Sequence, residues 1–249
     1  MAGMFCALLL ATAASEGAAI TSGAQQAIPA KRVTAALGGT SSTYSFDNID
    51  QVVPDGSTVG LSDRRTIIAD FTAVTSVTVS LNIAGGINGD LYVQLTHRSG
   101  FTVLLNRVGR TASNPFGYAD AGMNIQFQAG APAVGDIHEY RLTLSGSEST
   151  PLGGPLTGIW MPDGRAVDPG LSLDTDPRTA LLSSFNGLDP NGEWTLFVAD
   201  VDGGGVSTLR SWGLEVQGVP EPGTSSLILA SLCLCFVSAR SRRRPSRLL

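Results

Sequence analysis

Apolar residues alternate with polar or small ones along most of this chain. Val77, Val79, Leu81 and Ile83 form one such run. Leu91, Val93 and Leu95 form another, as do Ile125 and Phe127; Tyr140, Leu142 and Leu144; Trp194, Leu196 and Val198; and Trp212, Leu214 and Val216. A period of two sends one set of side chains to a buried face and the other to solvent, which predicts strands. Clusters of turn residues separate the runs, as in Gly85-Gly86-Ile87-Asn88-Gly89 and Asp189-Pro190-Asn191-Gly192. No long 3.6-residue period occurs between Thr43 and Gln217. Those residues suffice for one two-sheet core, and the many short strands predict an all-β, antiparallel, jelly-roll-like sandwich.

Both ends depart from this pattern. Met4 to Ala14 is apolar and ends in the small-x-small pattern Ala11-Thr12-Ala13, which predicts a signal peptide over residues 1–14. No Lys or Arg precedes Lys31, so the segment lacks a charged leader. Residues 15–42, rich in Ala, Gly, Ser and Thr, read as a flexible lead-in. At the other end, Val219-Pro220-Glu221-Pro222 precedes 17 uncharged residues, Gly223 to Ala239. A helix of that length spans about 26 Å, the lower limit for crossing a bilayer. Arg240, Arg242, Arg243, Arg244 and Arg247 follow and would stay on the cytoplasmic side. Motif, apolar helix and basic cluster in this order resemble the PEP-CTERM sorting signal of bacterial exported proteins. The resemblance implies a sorting signal over residues 219–249, an inner-membrane-anchored precursor, removal of the tail by an exosortase-like enzyme that recognises the motif, and delivery to the cell surface or extracellular matrix.

The three cysteines, Cys6, Cys233 and Cys235, all lie in the two terminal segments, so the body carries no disulfide or thiol chemistry. Setting the five C-terminal arginines aside leaves 11 basic and 21 acidic residues, a net charge of −10. Such a surface disfavours nucleic acid.

Within the body, several landmarks recur in a particular order. Val53-Pro54-Asp55-Gly56 comes first, then Gly89-Asp90-Leu91-Tyr92-Val93-Gln94-Leu95 running into His97-Arg98-Ser99-Gly100, then Val103-Leu104-Leu105. Phe185-Asn186-Gly187, Asn191-Gly192-Glu193-Trp194-Thr195-Leu196-Phe197-Val198-Ala199-Asp200 and Thr208-Leu209-Arg210-Ser211-Trp212-Gly213-Leu214-Glu215-Val216 complete the series. Residues 43–218 resemble the P domain (P/Homo B domain) of proprotein convertases and bacterial subtilisin-like proteases. The resemblance implies a jelly-roll-like sandwich and a supporting role beside a protease. The family's Ser-Pro-Ser-Gly-like turn is replaced here by His97-Arg98-Ser99-Gly100, where Gly100 would supply a positive φ. Trp194 and Trp212 are expected in one core layer, on strands joined by a hairpin through Asp202-Gly203-Gly204-Gly205. Asp90 is expected to accept backbone hydrogen bonds from the glycine-rich turn before it.

Catalytic constellations are sparse. His97, expected in a turn, and His138, expected at a strand start, are the only histidines, and no nucleophile segment accompanies them. Two isolated histidines without cysteine make a poor zinc set. Oxygen ligands for calcium are better represented: Asp200 and Asp202 first, with Asp174 and Asp176 a weaker set, although no complete EF-hand loop is present. The body therefore reads as a non-catalytic module with a binding or structural role, its loops the main chemical surface and an extracellular polysaccharide its ligand; the alternative is an accessory or regulatory partner of a separate secreted subtilisin-like protease.

Overall fold

The computed structural model describes residues 40–220. The signal peptide, most of the lead-in, Glu221, Pro222, the expected membrane helix and the five C-terminal arginines lie outside the described residues. No helix among the described residues is long and apolar enough to cross a membrane.

Ten strands form two sheets. The six-stranded sheet contains β1 (Thr40–Phe46), β2 (Gln51–Val52), β4 (Phe71–Gly85), β7 (Met123–Phe127), β8 (Leu156–Trp160) and β10 (Ser207–Pro220). Its order is β1-β10-β4-β7-β8, with β2 also paired to β10. The four-stranded sheet contains β3 (Ser57–Ile67), β5 (Leu91–His97), β6 (Gly100–Asn106) and β9 (Gly192–Asp200), in the order β3-β9-β5-β6. All pairings are antiparallel except β7 with β8, which run parallel. The segment joining them holds the one α-helix among the described residues, α1 (Tyr140–Ser145).

The expected alternation holds where strands are central. Val77, Val79, Leu81 and Ile83 of β4 are buried, as are Leu91, Val93 and Leu95 of β5, while their neighbours are partly exposed. Trp160, Trp194, Trp212, Tyr118, Tyr140, Phe71, Phe127 and Phe185 are the largest fully buried side chains among the described residues. Burying each indole contributes about 2–3 kcal/mol through apolar area.

Two local expectations are corrected. Tyr140, Leu142 and Leu144 do not form a strand. They lie in α1, entered from a 3-10 turn, Ile137–Glu139. The Asp136 carboxylate accepts the His138 N–H at 3.0 Å, and Gly146 at φ 70° ends the helix with its N–H on the Leu142 carbonyl. Leu142 and Leu144 are exposed, while Tyr140 and Arg141 are buried, so the period-two pattern did not follow burial. Nor do Trp194 and Trp212 sit on a hairpin. Their strands belong to opposite sheets, and the intervening loop crosses the roughly 10 Å between packed sheets. The two indoles still enter one core. Trp212 Nε1 donates across the sandwich to Asp63 Oδ2 on β3, 2.5 Å away.

Candidate functional site

At one end of the four-stranded sheet, four carboxylates gather, and two of them lie within 3.5 Å of one guanidinium. Strand pairing creates this gathering. Asp200 pairs with both Leu91 and Ser57, which brings the end of β9 beside the starts of β5 and β3. Asp90 ends a 3-10 turn, Asn88–Asp90, and Asp55 lies in the turn before β3. Arg107 follows β6. Its Nε donates to the Gly89 carbonyl at 2.7 Å, and its Nη2 lies 3.5 Å from Asp90 Oδ1 and 3.2 Å from Asp202 Oδ2.

Burial raises the Asp90 pKa from 3.8 to about 6. Arg107 opposes the rise, while Asp200, Asp202 and Asp55 add to it. Burial also raises Asp200, against a hydrogen bond from the Ser207 hydroxyl at 2.8 Å. Asp200 Oδ1 is buried and accepts no hydrogen bond. The expected acceptance of turn N–H groups by Asp90 is replaced by the Arg107 contact, and the Asp90 N–H itself donates to the Ile87 carbonyl.

The structure thus joins Asp200 and Asp202 to Asp90, and Arg107 supplies their positive neighbour. No group of three or more His, Cys, Asp or Glu among the described residues is arranged to hold a metal ion. Asp174 and Asp176 stand apart from this cluster in turn geometry. The Asp174 carbonyl accepts from Arg165 Nη2 at 2.8 Å, and the Asp176 carboxylate accepts the Leu173 N–H at 2.8 Å.

Both histidines are buried within hydrogen-bond networks. His97 ends β5 rather than occupying a turn, and stacks on Trp194 with centroids 4.2 Å apart. Its Nδ1 and Nε2 each meet a backbone carbonyl, of Glu193 and Asp189, at 2.8 Å. In the turn that follows, Arg98 takes the positive φ, at 53°. Gly100 is required for space instead, because a Cβ there would lie 2.3 Å from the Phe185 ring.

His138 lies in the 3-10 turn before α1, not at a strand start. Its Nδ1 is 2.7 Å from Asp163 Oδ2 and its Nε2 is 3.0 Å from the Arg110 carbonyl. Burial alone would lower the His138 pKa, but the Asp163 carboxylate and the carbonyl outweigh it and raise the value. Arg165 joins Asp163 to Asp136 through its Nη1, at 3.3 and 3.1 Å. Neither imidazole presents a nitrogen to solvent, and neither has a serine, threonine or cysteine partner among its hydrogen bonds.

Several buried acids were not singled out from the sequence. Asp63 accepts from Arg65 Nε at 2.8 Å as well as from Trp212. Asp120 accepts from Arg141 Nε and Nη2, the Tyr140 hydroxyl and the Leu152 N–H. Burial would raise Asp120, but these donors lower it. The Asp-x-Arg spacing of Asp63 with Arg65 was a readable signal, since both lie on β3 and residues two apart in a strand share a face. Asp120 and Arg141 carry no comparable local sign.

A further feature lies on the outward face of the six-stranded sheet. An open groove of about 220 Å³ is lined by Thr78, Gln126, Gln128, Asn186, Glu215 and Gln217, among others. An apolar pocket of about 230 Å³ adjoins it and shares Ala129, Leu182 and Ser183 with the groove. Of the expected sorting motif, Val219 is exposed at the end of β10, and Pro220 pairs with Phe71 as the last described residue.

No protein-family model and no curated protein sequence matches this chain. Among solved structures, a serine protease of Aeromonas sobria overlaps 74% of the chain at 15% identity and a TM-score of 0.40. The same protease in complex with its chaperone overlaps 78% at 16% identity and a TM-score of 0.38. The matched region spans 28% of the length of each of those chains.

Proposed function

We propose that this protein is an exported, non-catalytic β-sandwich module that binds an extracellular polymer. It is delivered as an inner-membrane precursor through a PEP-CTERM-type signal and released by an exosortase-like enzyme. The observation that carries the binding role is the groove across β10, β4 and β7. It is solvent-open, and the side chains of Gln126, Thr78 and Asn186 have no hydrogen-bond partner among the described residues. Polar groups held on a rigid sheet and left unpaired are ready donors and acceptors for a ligand. The non-catalytic reading rests on the two histidines, whose ring nitrogens are all engaged by carbonyl or carboxylate oxygens.

Intact-mass measurement of the exported protein tests delivery. The expected product lacks residues 1–14 and the tail beyond the Pro-Glu-Pro motif; a full-length mass in the soluble extracellular fraction refutes that part. Retention on extracellular polysaccharide prepared from the producing cells tests binding. Failure to be retained, together with stoichiometric co-purification with a secreted subtilisin-like protease, would replace polymer binding with an accessory role on that enzyme.

A further inference from the structure

We propose that the groove and its adjoining pocket take a neutral, N-acetylated polysaccharide, with the polymer in the groove and an acetyl methyl in the pocket. This rests on the polymer-binding reading and narrows it to a ligand class.

Register sets the polar array. Thr78 pairs with Glu215 and Ser76 with Gln217 on adjacent strands, and Gln126 faces Ser80 one strand further on. These side chains point away from the buried Val77, Val79 and Val216. They form a grid spaced about 4.8 Å across the strands and about 6.8 Å along them. Hydroxyl and carboxamide groups both donate and accept, as sugar hydroxyls do. An extended peptide instead presents its main-chain groups to a sheet edge, whereas this array lies on a sheet face.

Charge narrows the class further. Among the described residues, Glu215 is the one ionisable residue lining the groove, and one of its oxygens already accepts from the Ser41 hydroxyl at 3.1 Å. Among the described residues, Arg178 is the one ionisable residue lining the pocket. Its guanidinium is committed to the carbonyls of Asp163 and Pro162, at 2.9 and 2.6 Å. Neither lining leaves a cation available for an anionic polymer, and the body as a whole is acidic.

The pocket supplies the last constraint. Met161, Pro162, Leu181 and Leu182 give it apolar walls, and Ala129 lies on its rim. At about 230 Å³ it falls below the roughly 300 Å³ at which cavities begin to enclose whole small molecules. It suits an apolar appendage of a larger ligand. Because the pocket opens beside the amide-lined groove, an acetamido group places its methyl among the aliphatic side chains and leaves its N–H and C=O toward Gln128 and Ser183.

Calorimetric titration of the full-length chain in mild detergent tests this, using the N-acetylglucosamine pentamer and cellopentaose as neutral probes. The acetylated pentamer is expected to bind at least about tenfold more tightly. Leu181→Phe, at a half-buried position that lines the pocket and not the groove, fills the pocket and is expected to abolish that preference while leaving cellopentaose affinity unchanged. Gln126→Ala is expected to weaken both probes. Circular dichroism establishes that each variant is folded. Equal affinity for the two pentamers, or a preference that survives Leu181→Phe, overturns the acetyl pocket and leaves polymer binding standing. Absence of binding to either probe by the folded wild type, together with binding of extended peptides at the groove, overturns both.

Discussion

Asp90 offers a direct measure of what the carboxylate cluster costs the fold. Its side chain is buried beside Arg107, Asp200 and Asp202, and its pKa rises from 3.8 to about 6. The folded protein therefore binds a proton more tightly at this position than the unfolded chain does. Stability from the protonated group is fully present below pH 3.8 and is lost as pH rises through about 6. Linkage over that interval amounts to about 3 kcal/mol by pH 7, of which about 2 kcal/mol falls between pH 4.5 and pH 7. Asp90→Asn preserves the shape of the neutral group and removes its titration. The assay is urea unfolding of wild type and variant at both pH values, with two-state behaviour verified by two probes. The difference in stability between pH 4.5 and 7 should be about 2 kcal/mol less unfavourable in Asp90→Asn than in wild type. Parallel pH dependences would show that Asp90 ionises freely in the fold and would refute the burial reasoning.

The buried His138–Asp163 pair makes a second pH-dependent contribution. The raised His138 pKa means that its stabilisation is present below pH 6.5 and is lost as pH rises through the folded value; an imidazole NMR titration midpoint at or below 6.5 would contradict this. Asp163→Asn leaves that imidazolium without its counter-charge and should cost about 3–5 kcal/mol by urea unfolding, unlike a neutral surface substitution. Trp212→Phe removes the indole donor from Asp63 and a packed ring volume, so a loss of about 2–4 kcal/mol is expected, and an unchanged urea midpoint would remove Asp63 as a cross-sheet tie. Calcium chloride is expected to raise Tm no more than magnesium chloride at equal ionic strength, since Arg107 already neighbours Asp90 and Asp202; a calcium-specific rise abolished by Asp200→Asn would establish the ion at Asp200 and Asp202.

Much of the architecture was legible in the linear pattern. The alternating runs of β4, β5, β9 and β10 announced their buried faces because a pleated strand turns each successive side chain over. Turn clusters marked the breaks between them. The same rule misled at Tyr140–Leu144, where Asp136 and Gly146 provide helix boundaries and the intervening leucines face solvent. Asp200 and Asp202 were conspicuous as loop acids. Their association with Asp90, Asp55 and Arg107 was not, because strand pairing brings those segments together across more than a hundred residues. The groove was equally hidden. Its residues come from β4, β7, β10 and the segment around Asn186, and on each strand alone they read as an ordinary solvent face.

Local chain chemistry by itself determined that this body would be pleated, cysteine-free and acidic, and where its strands would break. Those properties follow from residue identity and a two-residue period. Only the tertiary structure decided that β9 and β10 would part company into opposite sheets, that both histidines would be enclosed, and that unpaired amides would line one face. Each of these depends on which distant strands become neighbours. That choice is made by the joint burial of both sheets' inner faces, a property no single segment carries.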